Sequence, residues 1–161
     1  MWVMGGGRSA SGGDTGYKDV WYSTDGSNWT RATNSMFNKG RGGIALTTFN
    51  SKMWVIGGFG GGQCNSCGDV WYSTDGATWT QATSNATTNL DYGHSASALN
   101  GRIWIFGGRL SQNGKAAYSS DGISWTDITM SSSEFVRSYA NDVVFDNTIW
   151  LVGKNKVWKM K

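Results

Sequence analysis

A segment of eleven residues recurs along this chain and sets its period. Residues 69–79 read DVWYSTDGATW, residues 19–29 repeat them almost letter for letter, and residues 116–125 carry a degenerate copy. Apolar segments that end in glycine recur with the same spacing of about 50 residues. They begin at Trp2, Trp54, Trp104 and Trp150. A period of this length predicts a fold of similar units that stack on one another.

Each period contains strand-like runs separated by turn residues. In the second period the runs are residues 43–49, 53–56, 69–73 and 78–82. Asn50-Ser51 and Asp75-Gly76 lie between paired runs, as Asn100-Gly101 and Asp121-Gly122 do in the third period, and such dipeptides favour tight hairpins with positive φ angles. The 161 residues include 24 Gly, 10 Trp and no Pro, which is typical of short strands joined by glycine turns. We therefore predict an all-β protein with one four-stranded antiparallel meander per period.

A glycine doublet after an apolar strand, followed by an aromatic pair and then a tryptophan, resembles the kelch repeat of bacterial and secreted β-propellers. The resemblance implies a β-propeller of four-stranded antiparallel blades, with about three and a half repeats in this chain. As one propeller domain or fragment, its blades would span residues 1–33, 41–83, 92–129 and 137–161. The first would lack its inner strand and the last its outer strand. We expect a partial ring or a ring completed by another copy; a closed four-bladed ring is the alternative.

The hairpins that follow the repeated aromatic strands are similar to a shortened Asp box of sialidase-like and other secreted propellers. That resemblance implies a carboxylate that accepts backbone N–H bonds across the turn and a tryptophan that packs between blades. We expect all of these repeated residues to be structural. They are Trp21, Asp25, Trp29, Trp71, Asp75, Trp79, Asp121 and Trp125.

Long loops at residues 7–18, 59–68 and 109–115 would gather, with the links between blades, on one face around the channel of a propeller. Kelch-type proteins are expected to bind ligands there. Alignment of the repeats places Arg41, Asp91 and Arg137 at equivalent positions, where they either meet an anionic or polyhydroxyl ligand or tie blade to blade. The predicted ligand-binding residues are Arg41, Asp91, Tyr92, His94, Arg109, Phe135 and Arg137.

Few residues of this chain are candidates for catalysis or metal binding. His94 is the sole histidine, so this chain has no His-based metal site, and the residue is either part of the binding face or a hydrogen-bonded structural histidine. Galactose oxidase and its relatives need two histidines for copper, and Glu134 is the only glutamate here. We expect no catalytic residue, no metal and no cofactor.

Cys64 and Cys67 form the only cysteine pair. One C-x-x-C without further ligands does not make a zinc site, and we expect a local disulfide, with two free thiols as the alternative. A disulfide would indicate an oxidising compartment, so we expect an extracellular or cell-surface location. The net charge of +3 comes from scattered cations, which predicts no nucleic-acid partner, and no apolar run is long enough to span a membrane.

These observations predict a non-catalytic extracellular or cell-surface kelch-like propeller that acts as a binding or structural module. Its partner would be a protein, another copy of itself or a glycan. The alternative is a fragment of a kelch-type propeller enzyme that acts on sugars, with its catalytic residues outside this chain.

Overall fold

Sixteen strands occupy the part of the chain that the computed structural model describes, namely residues 1–10, 13–38, 40–60, 67–86, 92–108, 115–129, 141–153 and 157–160. In chain order they are β1 (Trp2–Met4), β2 (Gly7–Ala10), β3 (Gly13–Gly16), β4 (Val20–Tyr22), β5 (Thr30–Thr33), β6 (Ala45–Phe49), β7 (Lys52–Ile56), β8 (Val70–Ser73), β9 (Thr80–Thr83), β10 (His94–Leu99), β11 (Arg102–Gly107), β12 (Lys115–Ser119), β13 (Thr126–Thr129), β14 (Asn141–Phe145), β15 (Thr148–Val152) and β16 (Val157–Met160). No helix in these ranges could cross a membrane.

Four small antiparallel sheets account for fourteen of these strands. Sheet 1 has the order β1-β4-β5, sheet 2 is β6-β7-β8-β9, sheet 3 is β10-β11-β12-β13, and sheet 4 is β14-β15-β16. The predicted all-β class is confirmed, and so are the three, four, four and three strands of its successive sheets. Each sheet is a meander because its strands are neighbours in the order in which they follow along the chain, with β2 and β3 forming a separate hairpin between β1 and β4.

One predicted loop has regular structure. Within residues 7–18, β2 pairs with β3 in an antiparallel hairpin whose register runs from Gly7 opposite Gly16 to Ala10 opposite Gly13. The loop prediction was therefore wrong for this stretch. Its glycines and polar residues lack the apolar alternation that signals a strand, so only the backbone pairing reveals the hairpin.

The turns within the sheets are of two kinds. Asn50-Ser51 and Asn100-Gly101 both have positive φ angles at their two residues, which confirms the predicted two-residue hairpins. The connection after Ser73 differs from the prediction. Only Gly76 has a positive φ there, at 75°, and β9 begins at Thr80, so the turn is longer than the dipeptide Asp75-Gly76 indicated.

Side-chain hydrogen bonds explain this longer turn, which we call the Ser-Asp-Gly turn. Ser73 Oγ donates to Asp75 Oδ1 at 2.9 Å and accepts from Gly76 N at 2.8 Å. Asp75 Oδ1 accepts from the backbone N–H groups of Ala77 and Thr78, both at 2.8 Å. Those of Thr78 and then Ala77 lower the pKa of Asp75 most. The equivalent turns are centred on Asp25 and Asp121.

Successive sheets stack through opposite faces. We call the Trp face of a sheet the one that carries Trp2, Trp54, Trp104 or Trp150 in sheets 1 to 4. Three apolar clusters fill the spaces between sheets, and in each the Trp face of one sheet packs on the other face of the next. They join Val20 to Val55, Trp54 and Ile56 to Ile103 and Ile105, and Phe106 to Ile149 and Leu151.

A tryptophan ring on a glycine completes two of these contacts. The ring of Trp2 lies against Gly76, and the ring of Trp54 lies against Gly122, so closely that an added Cβ at either glycine would overlap the indole. Both glycines belong to Ser-Asp-Gly turns of the following sheet. The sheets are thus related by a repeated contact as well as by a repeated sequence.

The first strands of sheets 2, 3 and 4 are neighbours. β10 lies beside β6 on one side and beside β14 on the other. Each of these first strands is entered from the link that precedes its sheet. Because the first strands are neighbours, the links also come together, at one end of the sheets. This arrangement positions the candidate site.

Candidate binding face

Glycine doublets mark one end of the sheets, which we call the glycine end. Gly57 N donates to Asp69 O at 3.0 Å, and Gly58 O accepts from Cys67 N at 2.9 Å. Both glycines have positive φ angles, 62° and 110°, which other residues rarely adopt. Sheet 1 repeats both bonds with Gly5, Gly6, Asp19 and Tyr17. The doublets therefore give the chain the same path out of the sheet each time.

Three consecutive link residues hold aromatic residues of three different sheets at this end. Arg41 N donates to Tyr17 O at 3.0 Å. Gly42 exchanges two backbone hydrogen bonds with Phe59, at 2.8 and 2.9 Å. Gly43 O accepts from Gly93 N at 3.0 Å, which fixes the adjoining Tyr92. The link thus gathers one aromatic residue each from the loops of sheets 1 and 2 and from the entry to sheet 3.

The aromatic side chains form a partly open surface. The rings of Phe59 and Tyr92 are in contact, with centroids 5.0 Å apart and planes inclined by 54°. Both are partly exposed, and Tyr17 is 51% exposed. We call Tyr17, Phe59 and Tyr92 the aromatic face; the Tyr17 side chain also lines a hollow beside Val3 and Trp21 of sheet 1. Rings of this kind offer a flat apolar surface with a phenol at its edge.

Arg41 lies beneath this face rather than on it. The residue is 3% exposed, and its guanidinium makes a bidentate ion pair with Asp69, in which Nη2 lies 3.0 Å from Oδ2. Nη1 also donates to Gly57 O at 3.3 Å, and the guanidinium carbon lies 4.1 Å from the ring centre of Phe37. These contacts tie the link to the start of β8, so the cation is engaged inside the protein.

Asp69 has a second role that the sequence patterns did not single out. Its Oδ2 accepts a hydrogen bond of 2.6 Å from Nε1 of Trp71, two residues along the chain. Asp19 and Trp21 form the same bond in sheet 1, also at 2.6 Å. The available signal was the aspartate two residues before a tryptophan in two copies of the repeat.

His94 is also internal. It is 5% exposed at the start of β10, and its Nε2 lies 3.0 Å from Ile56 O. A carbonyl oxygen only accepts hydrogen bonds, so Nε2 carries the proton. The imidazole joins sheet 3 to sheet 2 below the aromatic face.

Asp142 of sheet 4 is partly buried against sheet 3, near Ser95, and sequence reasoning missed it. Burial raises the pKa of Asp142, and the Ser95 hydroxyl offsets part of that rise. The residue stands in β14 among apolar positions, opposite Leu151 of β15. An acidic residue in a strand pattern is ordinarily assigned to the solvent side, so its burial was not foreseeable.

Several predicted site residues lie outside the described residues, and their roles stay predictions. They are Cys64, Asp91, Arg109, Phe135 and Arg137. Cys67 is disulfide-bonded and buried, but its expected pairing with Cys64 is likewise a prediction. Within the described ranges no group of three His, Cys, Asp or Glu residues could hold a metal ion.

Comparison with known proteins adds no relative. No protein-family model matches the chain, and no curated protein matches it.

Proposed function

We propose that this chain is a kelch-like β-propeller module that binds a glycan at its aromatic face and catalyses no reaction. The observation that carries the proposal is the link at residues 41–43, which holds Tyr17, Phe59 and Tyr92 in place through backbone hydrogen bonds. A surface positioned by backbone bonds is preorganised, and preorganisation lowers the entropy lost on binding.

Propeller architecture is supported by the stacking of the sheets. Radial repetition of four-stranded sheets, each packed on the next by a repeated contact, is the way propellers bury both faces of a small sheet. The adjacent first strands β6, β10 and β14 are in keeping with inner strands around an axis. The Ser-Asp-Gly turns supply the hydrogen bonds that the Asp-box resemblance implies.

Binding suits this end of the molecule better than catalysis does. The ionisable side chains described beneath the aromatic face, Arg41 and His94, are buried and engaged with Asp69 and with Ile56 O. What the face presents outward is aromatic surface with phenol groups, which stacks on the apolar face of a sugar ring and hydrogen-bonds to its hydroxyls. Such a role fits an extracellular or cell-surface protein, as does the disulfide-bonded Cys67.

A glycan array probed with the purified chain tests this proposal. We expect binding to a subset of glycans, reduced about tenfold or more by Tyr92→Ala or Tyr17→Ala, since buried aromatic contacts dominate such interfaces. The control is Tyr22→Ala: Tyr22 is 37% exposed and pairs with Trp2 at 5.2 Å, much as Tyr92 pairs with Phe59, but it lies toward the opposite end of its sheet. If Tyr22→Ala lost glycan binding equally, or if both test variants bound like the original chain, the aromatic face would not be the binding site.

A further inference from the structure

The two outermost sheets each expose a face that is buried elsewhere in the stack. Between sheets 1 and 2, 2 and 3, and 3 and 4, a Trp face packs on the other face of the following sheet. The same geometry therefore occurs three times within the chain. Sheet 4 has no following sheet on its Trp face, and sheet 1 has no preceding sheet on its other face, among the residues that the structure describes.

The Trp face of sheet 4 is apolar and exposed. Val143 is 53% exposed, Phe145 70%, Val152 45% and Val157 60%, and by strand pairing all four share the face of Trp150. Single exposed apolar residues are ordinary, but a contiguous group of this kind marks an interaction surface.

Trp150 makes the same side-chain hydrogen bond as Trp54 and Trp104. Its Nε1 donates to Phe145 O at 3.3 Å, five residues back across the hairpin. Trp54 donates to Phe49 O at 3.0 Å and Trp104 to Leu99 O at 3.2 Å. The Trp150 ring is therefore oriented for the contact that Trp54 makes with a glycine of the next sheet.

Sheet 1 presents the matching half of that contact. Gly26 has a φ of 78°, against 75° and 77° at Gly76 and Gly122, and it occupies the same place in a Ser-Asp-Gly turn. Gly76 and Gly122 are covered by indole rings, whereas a Cβ at Gly26 would meet only the end of Met1, at 3.9 Å. Beside it, the open face carries the exposed Met1 and Val3 and a hollow of about 280 Å³ lined in part by Trp21.

We infer that the Trp face of sheet 4 docks on the open face of sheet 1 in a second copy of this chain, with Trp150 seated on Gly26. A second copy is the occupant because the chain itself contains both complementary faces and packs equivalent faces on each other three times internally, twice with a tryptophan ring on a glycine. Lys159, paired with Trp150 across the strands, brings a cation to one face. The other face carries Asp25 beside Gly26 and also Arg31, whose guanidinium lies 5.7 Å from the ring centre of Trp21, so the choice of occupant rests on the repeated packing and not on charge.

Such a contact is head to tail, so it generates a ring if it closes and an open stack if it does not. It would bury the exposed apolar groups of both end sheets. Of the aromatic face, Tyr17 lines the hollow on sheet 1, whereas Phe59 and Tyr92 do not line it, so Tyr92→Ala tests glycan binding separately from this association.

Solution mass across a concentration series tests the inference, by sedimentation velocity on the full chain. We expect species that are multiples of 17.4 kDa and that grow with concentration. Trp150→Ala should weaken association about tenfold or more, since tryptophan anchors dominate interfaces. Val143→Glu is a second variant on the same face; its side chain is already exposed, so it leaves the fold intact, as circular dichroism would verify. A folded chain that is monomeric throughout would overturn the inference.

The opposite half is tested at Gly26. Gly26→Asn keeps a residue that tolerates positive φ but places a side chain where the indole would sit. Its control is Gly101→Asn, at a φ of 70° with nothing within 4 Å of the added Cβ. We expect Gly26→Asn to be monomeric and Gly101→Asn to associate like the original chain. Equal behaviour of the two variants would refute the Gly26 contact.

Mixing the variants identifies the head-to-tail arrangement. Val143→Glu retains an intact sheet 1 face, and Gly26→Asn retains an intact sheet 4 face. Each alone should be monomeric, whereas an equimolar mixture should form a dimer of twice 17.4 kDa and nothing larger. A mixture that stays monomeric, or either variant dimerising alone, would contradict the inference.

Discussion

At the scale of single residues, the stacking of the sheets depends on glycines that have no room for a side chain. Gly76 and Gly122 each touch an indole of the preceding sheet, and their φ angles of 75° and 77° lie in a region that disfavours other residues. Two separate penalties therefore attach to any substitution there, one from backbone conformation and one from packing. A substitution at Gly26 would incur the backbone penalty but, within one chain, would displace no indole ring.

Gly76→Ala and Gly122→Ala should destabilise the fold more than Gly26→Ala. All three variants incur the backbone penalty, about 1–2 kcal/mol. Only the first two also force an indole out of its place, which adds about 1–3 kcal/mol for overpacking. Urea unfolding at a concentration where the chain is monomeric measures the difference. Equal losses at the three positions would contradict the tryptophan–glycine contact.

Asp142 makes stability depend on pH in the direction opposite to a salt-bridged carboxylate. Burial raises its folded pKa above the ordinary 3.8, so the folded state holds a proton that the unfolded chain releases. Its contribution to stability is then largest at low pH and is lost as pH rises through the raised value.

Asp142→Asn should remove this dependence. We expect the variant to gain stability relative to the original chain as pH rises from about 4 to about 7, because asparagine has no proton to lose. The lowered pKa values of Asp25, Asp75 and Asp121 act in the other direction but are common to both proteins and cancel in the difference. The measurement is the melting temperature of both proteins at matched pH. If the advantage of Asp142→Asn over the original chain shrank as pH rose, the raised pKa of Asp142 would be contradicted.

At the scale of elements, the Ser-Asp-Gly turn shows what sequence reasoning could and could not supply. The repeated dipeptide Asp75-Gly76 correctly marked a reversal between β8 and β9. The predicted length of the turn was wrong because the Ser73 hydroxyl and the Asp75 carboxylate together accept hydrogen bonds from four backbone N–H groups and so stabilise a wider turn. Turn rules based on φ preferences alone do not count such side-chain bonds.

Ser73→Ala should destabilise sheet 2 by about 1–2 kcal/mol, because the buried N–H of Gly76 would lose its acceptor. Thr74→Ala is the matched control: Thr74 is the next residue in the same turn and is exposed. Chemical denaturation of both variants gives the comparison. Similar stability of the two would mean that the Ser73 hydroxyl contributes little to the turn.

At the scale of the whole molecule, the repeat period predicted the number of sheets, their strand order and the two-residue hairpins, since these follow from local pattern and turn chemistry. The repeat period could not predict features that depend on contact between sheets. Alignment of the repeats with one another grouped Arg41 with Asp91 and Arg137, whereas Arg41 forms an ion pair with Asp69 of its own repeat. The burial of His94 against Ile56 O and the grouping of Tyr17, Phe59 and Tyr92 likewise arise only once the sheets have stacked.

The contact on which the stacking depends is a tryptophan ring on a Ser-Asp-Gly turn, which seats sheet 1 on sheet 2 and sheet 2 on sheet 3. Proton chemical shifts test it most directly, because protons above an indole ring are shielded. In the Val143→Glu chain, the Hα protons of Gly76 and Gly122 should resonate well upfield of those of Gly26 and Gly101, and should return toward them in Trp2→Ala and Trp54→Ala respectively. Hα shifts for Gly76 and Gly122 that match those of Gly101 would contradict the account.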